Sequence, residues 1–316
     1  EMMERIALDL EGVERALASS FNTGSEDFNT LIRPLSEAGG KRLRAQLCLL
    51  IANAGTSVEA ERIKIAEAVE MLHLATLIHD DVLDQAEIRR GEETIHKHKG
   101  NKVAILSGDY LFAKAFRIVS EMPHMEYLKI FSHIITCLVE GEFMQMEDVY
   151  RIDQGIDRYM TKTQKKTADF MEGCMELGGL LGGWSSDEIM YLKRYGHALG
   201  MAFQITDDIM DYRETSDTTG KPVGNDLREG LLTYPLLSIV NESNQNQLLQ
   251  DIKNLNHGGN EQEIIDYVIA QGGIDNTLRV AQQYCDDALS ALQSIRDFDG
   301  KEFLVLAVQN LADRKV

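Results

Sequence analysis

Apolar residues recur every three or four positions along most of the chain. Clear cases are LDLEGVERALASSF, ERIKIAEAVEMLHLATLIHDDVLD and NTLRVAQQYCDDALSALQSI. This spacing places apolar side chains on one face of an α-helix, whereas a half-buried strand would alternate every second residue. Alternating stretches are almost absent, and only four prolines interrupt the pattern. We therefore predict an all-α protein of roughly ten to thirteen helices.

Glycine-containing and polar stretches predict where these helices end. They occur at Ala38-Gly39-Gly40, Ala54-Gly55-Thr56, Lys99-Gly100-Asn101, Met122-Pro123, Gly178-Gly179, Gly182-Gly183, the segment TSDTTGKPVGNDLREG and His257-Gly258-Gly259. No linker or low-complexity segment divides the 316 residues. We therefore predict a single all-α domain over residues 1–316.

Composition and charge narrow the class of protein. The net charge is −19, from 32 Lys and Arg against 51 Asp and Glu, and such a surface repels nucleic-acid phosphate, so no nucleic-acid partner is expected. No apolar stretch is long enough to span a bilayer, and the charged start EMMERIALDLEG does not resemble a signal peptide. Four scattered cysteines without a CxxC pair predict small buried side chains in a cytoplasmic protein.

Three aspartates follow a helix that is apolar nearly all round. The segment VEMLHLATLI, residues 69–78, predicts a central buried helix, and Asp80, Asp81 and Asp84 continue it. On a helix, positions 80 and 84 lie one above the other and position 81 lies about 100° away. Crowded carboxylates repel each other unless a cation neutralises them, and Mg²⁺ prefers such oxygen ligands. A lone motif of this kind is equally compatible with an acidic helix end in water.

The aspartate pattern occurs a second time. Asp207, Asp208 and Asp211 have the same DDxxD spacing inside the apolar segment FQITDDIMDY. Two facing helices with this pattern would form an acidic pair able to hold several metal ions around one polyphosphate. The repetition therefore favours a metal site over a solvated helix end.

An anionic ligand would also need cations, and the sequence supplies candidates near both motifs. Taken singly, each is more typical of a surface charge, but together they suggest a phosphate site. His73 lies seven residues before Asp80 on the same predicted helix face, which favours contact with substrate over a purely structural role. The candidate cations are Lys41, Arg44, Arg89, Arg90, Lys166 and Lys221.

These blocks resemble the trans-polyprenyl diphosphate synthase family. GGKRLR, HLATLIHDDVLDQAEIRRG, LSGDYLFAKAF, EGEFMQ, KKTADF, FQITDDIMDY and GKPVGNDLREG follow in the family's order between about residue 39 and residue 235. The resemblance implies the isoprenoid synthase fold, a single-domain helical bundle around a central cavity. It also implies head-to-tail condensation of an allylic diphosphate with isopentenyl diphosphate.

The resemblance assigns roles residue by residue. It implies that Mg²⁺, about three ions when substrate is bound, is held by Asp80, Asp84 and Asp207, with Asp81, Asp208 and Asp211 in support. It implies that the diphosphate of isopentenyl diphosphate is held by Lys41, Arg44, His73 and Arg90. It implies that the allylic diphosphate is held by Arg89, Lys166, Thr167, Gln204 and Lys221.

The chain departs from the family pattern at two positions. Ala45 stands where the KxxRP block ends in proline, a minor change at a helix start. Leu231 stands where the block around GLLTYP carries a lysine, which removes one diphosphate contact. The second departure raises the question of how tightly the allylic substrate is bound.

Product length is expected to depend on Ala75 and Thr76. They lie five and four residues before Asp80, where short-chain relatives carry aromatic side chains that close the pocket. Small side chains would leave the pocket open, so the resemblance implies a medium- or long-chain all-trans product, longer than farnesyl. Ordinary tight helix packing is the alternative explanation for small residues there, and a shorter geranylgeranyl product stays open.

Other interpretations explain fewer of these features. A class I terpene cyclase would share the first aspartate motif but not the second motif, RRG and GGKRLR together. An inactive scaffold subunit would have lost aspartates or cations, and a helical interaction protein would leave both motifs unexplained. By analogy with the family we expect a homodimer, while a catalytic subunit that needs a small partner subunit stays open.

Overall fold

A computed structural model describes residues 1–37, 41–213 and 223–313. These residues are mostly helical, and within them strands occur only as one short hairpin. The predicted all-α fold is confirmed. Several helices have only four or five residues, which is too short for a 3.6-residue periodicity to reveal them in the sequence.

The helices and strands follow in a simple order along the chain. The first part contains α1 (Met2–Ser20), α2 (Glu26–Glu37), α3 (Leu43–Asn53), α4 (Glu59–Leu83), β1 (Ile88–Arg89), β2 (Glu92–Glu93), α5 (Ile95–Lys99), α6 (Asn101–Ser120) and α7 (Met125–Glu147). The middle contains α8 (Ile156–Thr163), a π-helical turn (Gln164–Ala168), α9 (Asp169–Leu181) and α10 (Ser186–Arg213). The last part contains α11 (Asn225–Glu229), α12 (Tyr234–Leu237), α13 (Gln245–Asn254), a 3₁₀ turn (Leu255–His257), α14 (Glu261–Ala270), α15 (Gly273–Gln293) and α16 (Lys301–Asp313).

The described residues belong to two compact units. The first lies within Glu1–Ser132, Cys174–Met190 and Asp297–Gly300, and the second within His133–Gly173, Tyr191–Arg296 and Lys301–Val316. That the chain is a single domain stays a prediction. No described helix is both long and apolar enough to cross a membrane. All four cysteines are buried free thiols, as their isolated positions predicted.

Helix α4 is the centre of the first unit. It packs against α1, α3 and α6, and its apolar side chains are covered on several faces. Val69, Met71, Leu72 and Ala75 are fully buried, and burial of a large apolar side chain contributes about 1.5–3 kcal/mol. The prediction of a central buried helix before the first aspartate motif is confirmed.

A buried ion pair fixes the N-terminal helix to this centre. The Arg62 guanidinium of α4 donates to both carboxylate oxygens of Asp9 on α1, at 2.9 and 3.2 Å. The Asn53 amide, at the end of α3, donates to the same carboxylate at 2.8 Å. Removing one partner of such a buried pair costs about 3–5 kcal/mol, so this contact sets how three helices meet.

The predicted break at Gly178-Gly179 is wrong, because both residues lie inside α9. A Cβ atom at Gly178 would lie 2.7 Å from the Cys48 carbonyl oxygen and 2.8 Å from the Ile51 Cβ of α3. The glycine therefore allows two helices to approach closely and does not end one. The glycine pair therefore reflects a close helix–helix contact and not the end of a helix.

The second unit buries one face of α10. Ile205 and Ile209 belong to an apolar cluster with Leu227, Leu236 and Ile252 from the helices that follow. These residues are between 0% and 5% exposed. Burial of this face fixes the rotation of α10, and with it the direction in which the second aspartate motif points.

Two glycines enclose the π-helical turn of the second unit. A Cβ atom at Gly141 of α7 would lie 2.6 Å from the Lys166 Cγ, and one at Gly200 of α10 would lie 2.6 Å from the Ala168 Cα. Both contacts are closer than a side chain tolerates, so the turn fits only between two glycines. A π-turn re-aims the side chains it carries and is frequent at functional sites.

Candidate active site

The first aspartate motif occupies the end of α4. Asp80 and Asp81 lie in its last turn and Asp84 is the residue that follows the helix. The carboxylates differ in environment, since Asp81 is buried, Asp80 is half-buried and Asp84 is exposed. Gln85 then adopts a left-handed conformation with φ of 50°, and the N–H of Ala86 donates to the Asp81 carbonyl oxygen at 2.9 Å. This left-handed cap ends the helix at the motif.

A short hairpin returns an arginine to this motif. Strands β1 and β2 pair antiparallel, and the two-residue turn between them has φ of 51° at Arg90 and 84° at Gly91. Two positive φ values are typical of a type I′ hairpin turn. The hairpin brings the Arg89 guanidinium to Asp81, with Nε–Oδ1 of 2.8 Å and Nη2–Oδ1 of 2.7 Å. Arg89 therefore lies beside the first motif, paired with one of its carboxylates.

The GGKRLR segment contains an arginine whose structural role sequence analysis missed. Arg42 precedes α3 in a left-handed conformation and forms ion pairs with Glu14 at 2.8 Å and Glu70 at 3.1 Å. Its side chain is 7% exposed. Lys41 is exposed and Arg44 is half-buried, and burial lowers the pKa of Arg44. Arg42 thus anchors the start of α3. The two predicted site residues of this segment differ in exposure, since Lys41 is open to solvent and Arg44 is partly covered.

His73 lies among four arginines. Burial, followed by the positive charges of Arg44, Arg90, Arg89 and Arg42, holds the pKa of His73 well below its usual range. The imidazole is therefore neutral at neutral pH. The predicted site residues Arg44, Arg89 and Arg90 therefore lie close enough to His73 for their charges to lower its pKa.

The residues predicted to control product length occupy the same helix. Ala75 is fully buried, and the Thr76 hydroxyl donates to the His73 carbonyl oxygen at 2.6 Å. A cavity in the same unit has an apolar wall and a charged edge. Its lining includes Leu31, Leu74, Leu77, Ile78, Ile95, Asp81, Arg89 and Arg90.

The second aspartate motif lies on α10. Asp208 is buried, Asp211 is half-buried and Asp207 is exposed. The Asp208 carboxylate accepts hydrogen bonds from the Tyr159 hydroxyl and, at 3.0 Å, from the Gln204 amide. The Gln204 amide oxygen in turn accepts from the Thr167 hydroxyl at 3.0 Å. Three predicted site residues are therefore joined in one hydrogen-bond chain, and Tyr159 is a further member that belongs to no sequence motif.

The charges of this motif favour a bound cation. Burial, together with the charges of Asp207 and Asp211, raises the pKa of Asp208 to about 7 against the opposing hydrogen bonds from Tyr159 and Gln204. Burial also raises the pKa of Asp211, against backbone hydrogen bonds from residues 224–227. Within the described part of the chain, Oδ2 of Asp211 is buried without a hydrogen-bond partner. An all-oxygen set of this kind fits a hard divalent cation such as Mg²⁺, which would also reverse these pKa shifts.

Compact groups of possible metal ligands also occur elsewhere in the second unit. In the described residues they are His133, Cys137 and Asp169, and Asp169, Glu172 and His197. In each group the ligand atoms lie within 4.8 Å of one another. Neither group includes an aspartate of the two motifs.

A cavity beside the second motif is lined by two residues of the predicted allylic site, Lys166 and Gln204. The Lys166 ammonium in the π-turn contacts the Gln145 amide oxygen at 2.8 Å and the Glu142 carboxylate. Lys166 and Leu231 both line this cavity, and Lys221 lies outside the described residues. The lining consists of Gln145, Asp148, Tyr159, Lys162, Thr163, Lys166, Gln204, Asp208, Leu231, Leu232 and Thr233.

Comparison with known proteins identifies the family. The family model described as polyprenyl synthetase matches residues 25–271. Octaprenyl diphosphate synthase of Escherichia coli K12 is 33% identical over 306 residues, which cover 96% of this chain and 94% of that protein. Heptaprenyl diphosphate synthase component 2 of Geobacillus stearothermophilus is 32% identical over 91% of this chain and 90% of its own length.

A solved structure agrees. Polyprenyl synthase from Caulobacter crescentus, complexed with calcium and isoprenyl diphosphate, superposes with a TM-score of 0.90 at 30% identity over 100% of this chain and 97% of that chain. The chain belongs to the polyprenyl synthetase family. The family, the isoprenoid synthase fold and the prenyltransferase activity predicted from the sequence are thereby confirmed.

Proposed function

We propose that this prenyltransferase condenses an allylic diphosphate repeatedly with isopentenyl diphosphate. The product is a medium- or long-chain all-trans polyprenyl diphosphate, longer than farnesyl. The relatives named above make octaprenyl and heptaprenyl diphosphates, which supports this range. A geranylgeranyl product is the shorter alternative that product sizing would reveal.

The observation that carries this proposal is the set of side chains around each aspartate motif. Asp208 shares a hydrogen-bond chain with Gln204 and Thr167, and Lys166 lines the same cavity. In the first unit Asp81 pairs with Arg89. Carboxylates that hold a cation beside side chains that hold phosphate are what a diphosphate leaving group requires.

We assign the substrate-binding roles to two groups of residues. The allylic diphosphate is held by Arg89, Lys166, Thr167, Gln204 and Lys221. The diphosphate of isopentenyl diphosphate is held by Lys41, Arg44, His73 and Arg90. The neutral imidazole of His73 suits this role, since it donates a hydrogen bond without adding charge to a region that already contains several arginines.

The metal would be Mg²⁺, with about three ions when substrate is bound. Asp80, Asp84 and Asp207 would hold it, supported by Asp81, Asp208 and Asp211. When bound, Mg²⁺ supplies positive charge to the diphosphate. The complex of the Caulobacter crescentus polyprenyl synthase with calcium and isoprenyl diphosphate supports a divalent cation for this family.

The reaction follows from the charges. Lysine and arginine side chains donate to the allylic diphosphate and stabilise the negative charge that develops as its C–O bond breaks. The allylic cation is then attacked by the double bond of isopentenyl diphosphate, which forms the new C–C bond. A proton leaves the adjacent carbon, and the released diphosphate is its acceptor. No side chain of the described site is needed as a dedicated base.

Assembly and location are proposed on separate grounds. We infer a homodimer, and α7 exposes Val139, Phe143 and Met146 along one face at four- and three-residue spacing. The relative named component 2 supports a small partner subunit as the alternative. Buried free thiols suit a cytoplasmic protein.

One assay tests the proposed function. Purified chain is mixed with Mg²⁺, farnesyl diphosphate and labelled isopentenyl diphosphate, and the products are sized. Chains longer than farnesyl are expected, while products no longer than geranylgeranyl would contradict the proposed length. Inactivity of the chain alone with rescue by a cell extract would identify a missing partner, and inactivity in both would overturn the proposal.

A further inference from the structure

Lys162 lies in the cavity of the second motif without belonging to any motif of the sequence. Its side chain is 11% exposed and lines the same cavity as Lys166, Gln204 and Asp208. Its ammonium contacts the Asp148 carboxylate at 2.9 Å and the Gln154 amide oxygen at 2.6 Å. A lysine this buried needs a partner for its charge.

Asp148 does not need Lys162 as its partner. The Arg158 Nε donates to both oxygens of Asp148 at 2.7 Å, and the Arg151 guanidinium lies 3.3 Å away. Burial raises the pKa of Asp148, but the hydrogen bonds of Lys162 and Arg158 outweigh it, so the pKa is lowered. Arg158 and Arg151 also pair with Glu147 and Asp153, and both arginines still lie beside Asp148 if Lys162 turns toward the cavity.

A second lysine lines the same cavity as Lys162. Lys162 and Lys166 are four residues apart, on either side of the start of the π-turn, and both line the cavity. Burial lowers the pKa of Lys162, and the charges of Arg158 and Lys166 lower it further against Asp148. Asp148 and Asp208 line the same cavity and Lys166 pairs with Glu142, and a diphosphate bound between the two ammonium groups would offset their mutual repulsion.

Leu231 lines the same cavity and brings only an apolar side chain to it. The positive charge that a lysine at position 231 would have provided is therefore missing. Lys162 brings a charge of the same kind to the same cavity from α8. A lysine at either position would therefore line the same cavity.

We propose that Lys162 is a further diphosphate-binding residue, which contacts the allylic diphosphate beside Lys166 and supplies the charge that Leu231 lacks. This inference rests on the proposed function for the identity of the natural ligand. When the diphosphate is bound, the Lys162 ammonium donates to it while Arg158 and Arg151 continue to neutralise Asp148. The residue binds substrate, and no new chemical step is assigned to it.

The test combines a loss and a rescue. Lys162→Met is expected to weaken binding of inorganic pyrophosphate in the presence of Mg²⁺ by about 10-fold, because a charged hydrogen bond is lost. The KM for farnesyl diphosphate should rise by a similar factor while the KM for isopentenyl diphosphate stays unchanged. Adding Leu231→Lys to Lys162→Met should restore both values. Calorimetry measures the binding and initial rates give the KM values.

Two further variants exclude a merely structural effect. Lys162→Gln keeps a polar group near Asp148 and should show the same loss with a smaller change in Tm. Lys165→Met is the matched control, since Lys165 pairs with Glu140 and does not line the cavity. It should leave pyrophosphate binding unchanged.

The outcomes separate this inference from the proposed function. Wild-type binding and KM in both Lys162 variants, or a loss that Leu231→Lys does not restore, would overturn the role of Lys162 while product formation by the wild-type chain still supports the enzyme. Pyrophosphate binding tests the role of Lys162 even if the wild-type chain makes no product.

Discussion

At the scale of single residues, sequence neighbours have different physical roles. Asp81 is buried against Arg89, whereas Asp80 beside it is half-buried and Asp84 is exposed. Burial of Asp208 likewise sets it apart from Asp207 on the same turn. Carboxylates on one turn of a helix can thus divide between those held by the protein and those open to a cation.

Asp80→Asn and Asp207→Asn should each lower turnover by about 100-fold or more. Each removes a charged ligand of the metal ion that would stabilise the leaving diphosphate in the transition state. Asn has nearly the same shape, so circular dichroism should show unchanged helix content. Asp187→Asn, an exposed change near the start of α10, is the control and should keep wild-type turnover. Retention of most activity in the two motif variants would contradict the metal assignment.

The pKa of His73 predicts a pH dependence of stability. Because the folded pKa lies well below the unfolded value of 6.5, the unfolded chain binds the extra proton first. Stability from this group is therefore present above pH 6.5 and is lost as pH falls, by about 1 kcal/mol per pH unit.

Urea unfolding of wild-type and His73→Gln chains between pH 5 and 7.5 checks this expectation. The variant should lose less stability on acidification than the wild type. His124→Gln removes an exposed histidine and should match the wild-type profile. Parallel profiles for His73→Gln and wild type would show that the imidazole is not held neutral.

At the scale of elements, close helix contacts position the site. The π-turn that carries Lys166 and Thr167 lies between Gly141 and Gly200, and α3 meets α9 at Gly178. These contacts are possible because glycine has no Cβ atom. A side chain added at one of these glycines would therefore push the packed helices apart. The hairpin turn at Arg90 and Gly91 positions the site in a different way, because its positive φ values return Arg89 to Asp81.

Gly200→Ala should destabilise the protein by about 1–3 kcal/mol, because the added Cβ would lie 2.6 Å from the Ala168 Cα. Turnover should fall as well, since the displaced turn carries Lys166 and Thr167. Thermal unfolding and steady-state rates measure the two effects. Gly24→Ala is the matched control, because nothing lies within 4 Å of its Cβ position, and an equal change in both variants would argue against the packing explanation.

The proposed control of product length by α4 can be tested at Ala75. Ala75→Phe should shift the product distribution toward shorter chains, because an aromatic side chain five residues before Asp80 would narrow the space for the growing chain. Ala75 is fully buried, so a loss of about 1–3 kcal/mol from overpacking is also expected. Chromatography of labelled products with a Tm measurement separates the effects. An unchanged distribution in a folded variant would favour ordinary packing as the reason for a small residue.

At the scale of the whole molecule, exposed apolar groups point to assembly. Val139, Phe143 and Met146 expose 50%, 61% and 61% of their surface on one face of α7. Large apolar patches on soluble proteins are typical of interaction sites. They give the inferred homodimer a defined surface to test.

Phe143→Glu should shift a dimer toward monomer by at least 10-fold in dissociation constant, because a charge would be buried at the interface. Analytical ultracentrifugation over a concentration series measures the change. Ile269→Glu alters another exposed apolar residue, 45% exposed on α14, and should leave the assembly unchanged. A wild-type chain that sediments as a monomer at all concentrations would refute the homodimer.

The sequence by itself determined the helical class, the buried helix before Asp80 and the two aspartate motifs. These features are local, since a helix is specified by the spacing of apolar residues and a motif by residues a few positions apart. Motif order was also sufficient to indicate the family before any comparison. Arg44, Arg89 and Arg90 were among the cations that the sequence proposed for a phosphate site, and in the structure their charges lower the pKa of His73, but their roles toward substrate stay a prediction.

The tertiary structure decided the rest. Tyr159 reaches Asp208 across 49 positions and Arg42 reaches Glu14 across 28, and no spacing rule covers such distances. Gly178 was predicted to end a helix but lies at a close contact with α3. Lys162 belongs to no sequence motif, and only the structure shows that it lines the cavity of the second motif. The physical reason is that these roles depend on which helix faces meet, and that is set by the packing of the whole core.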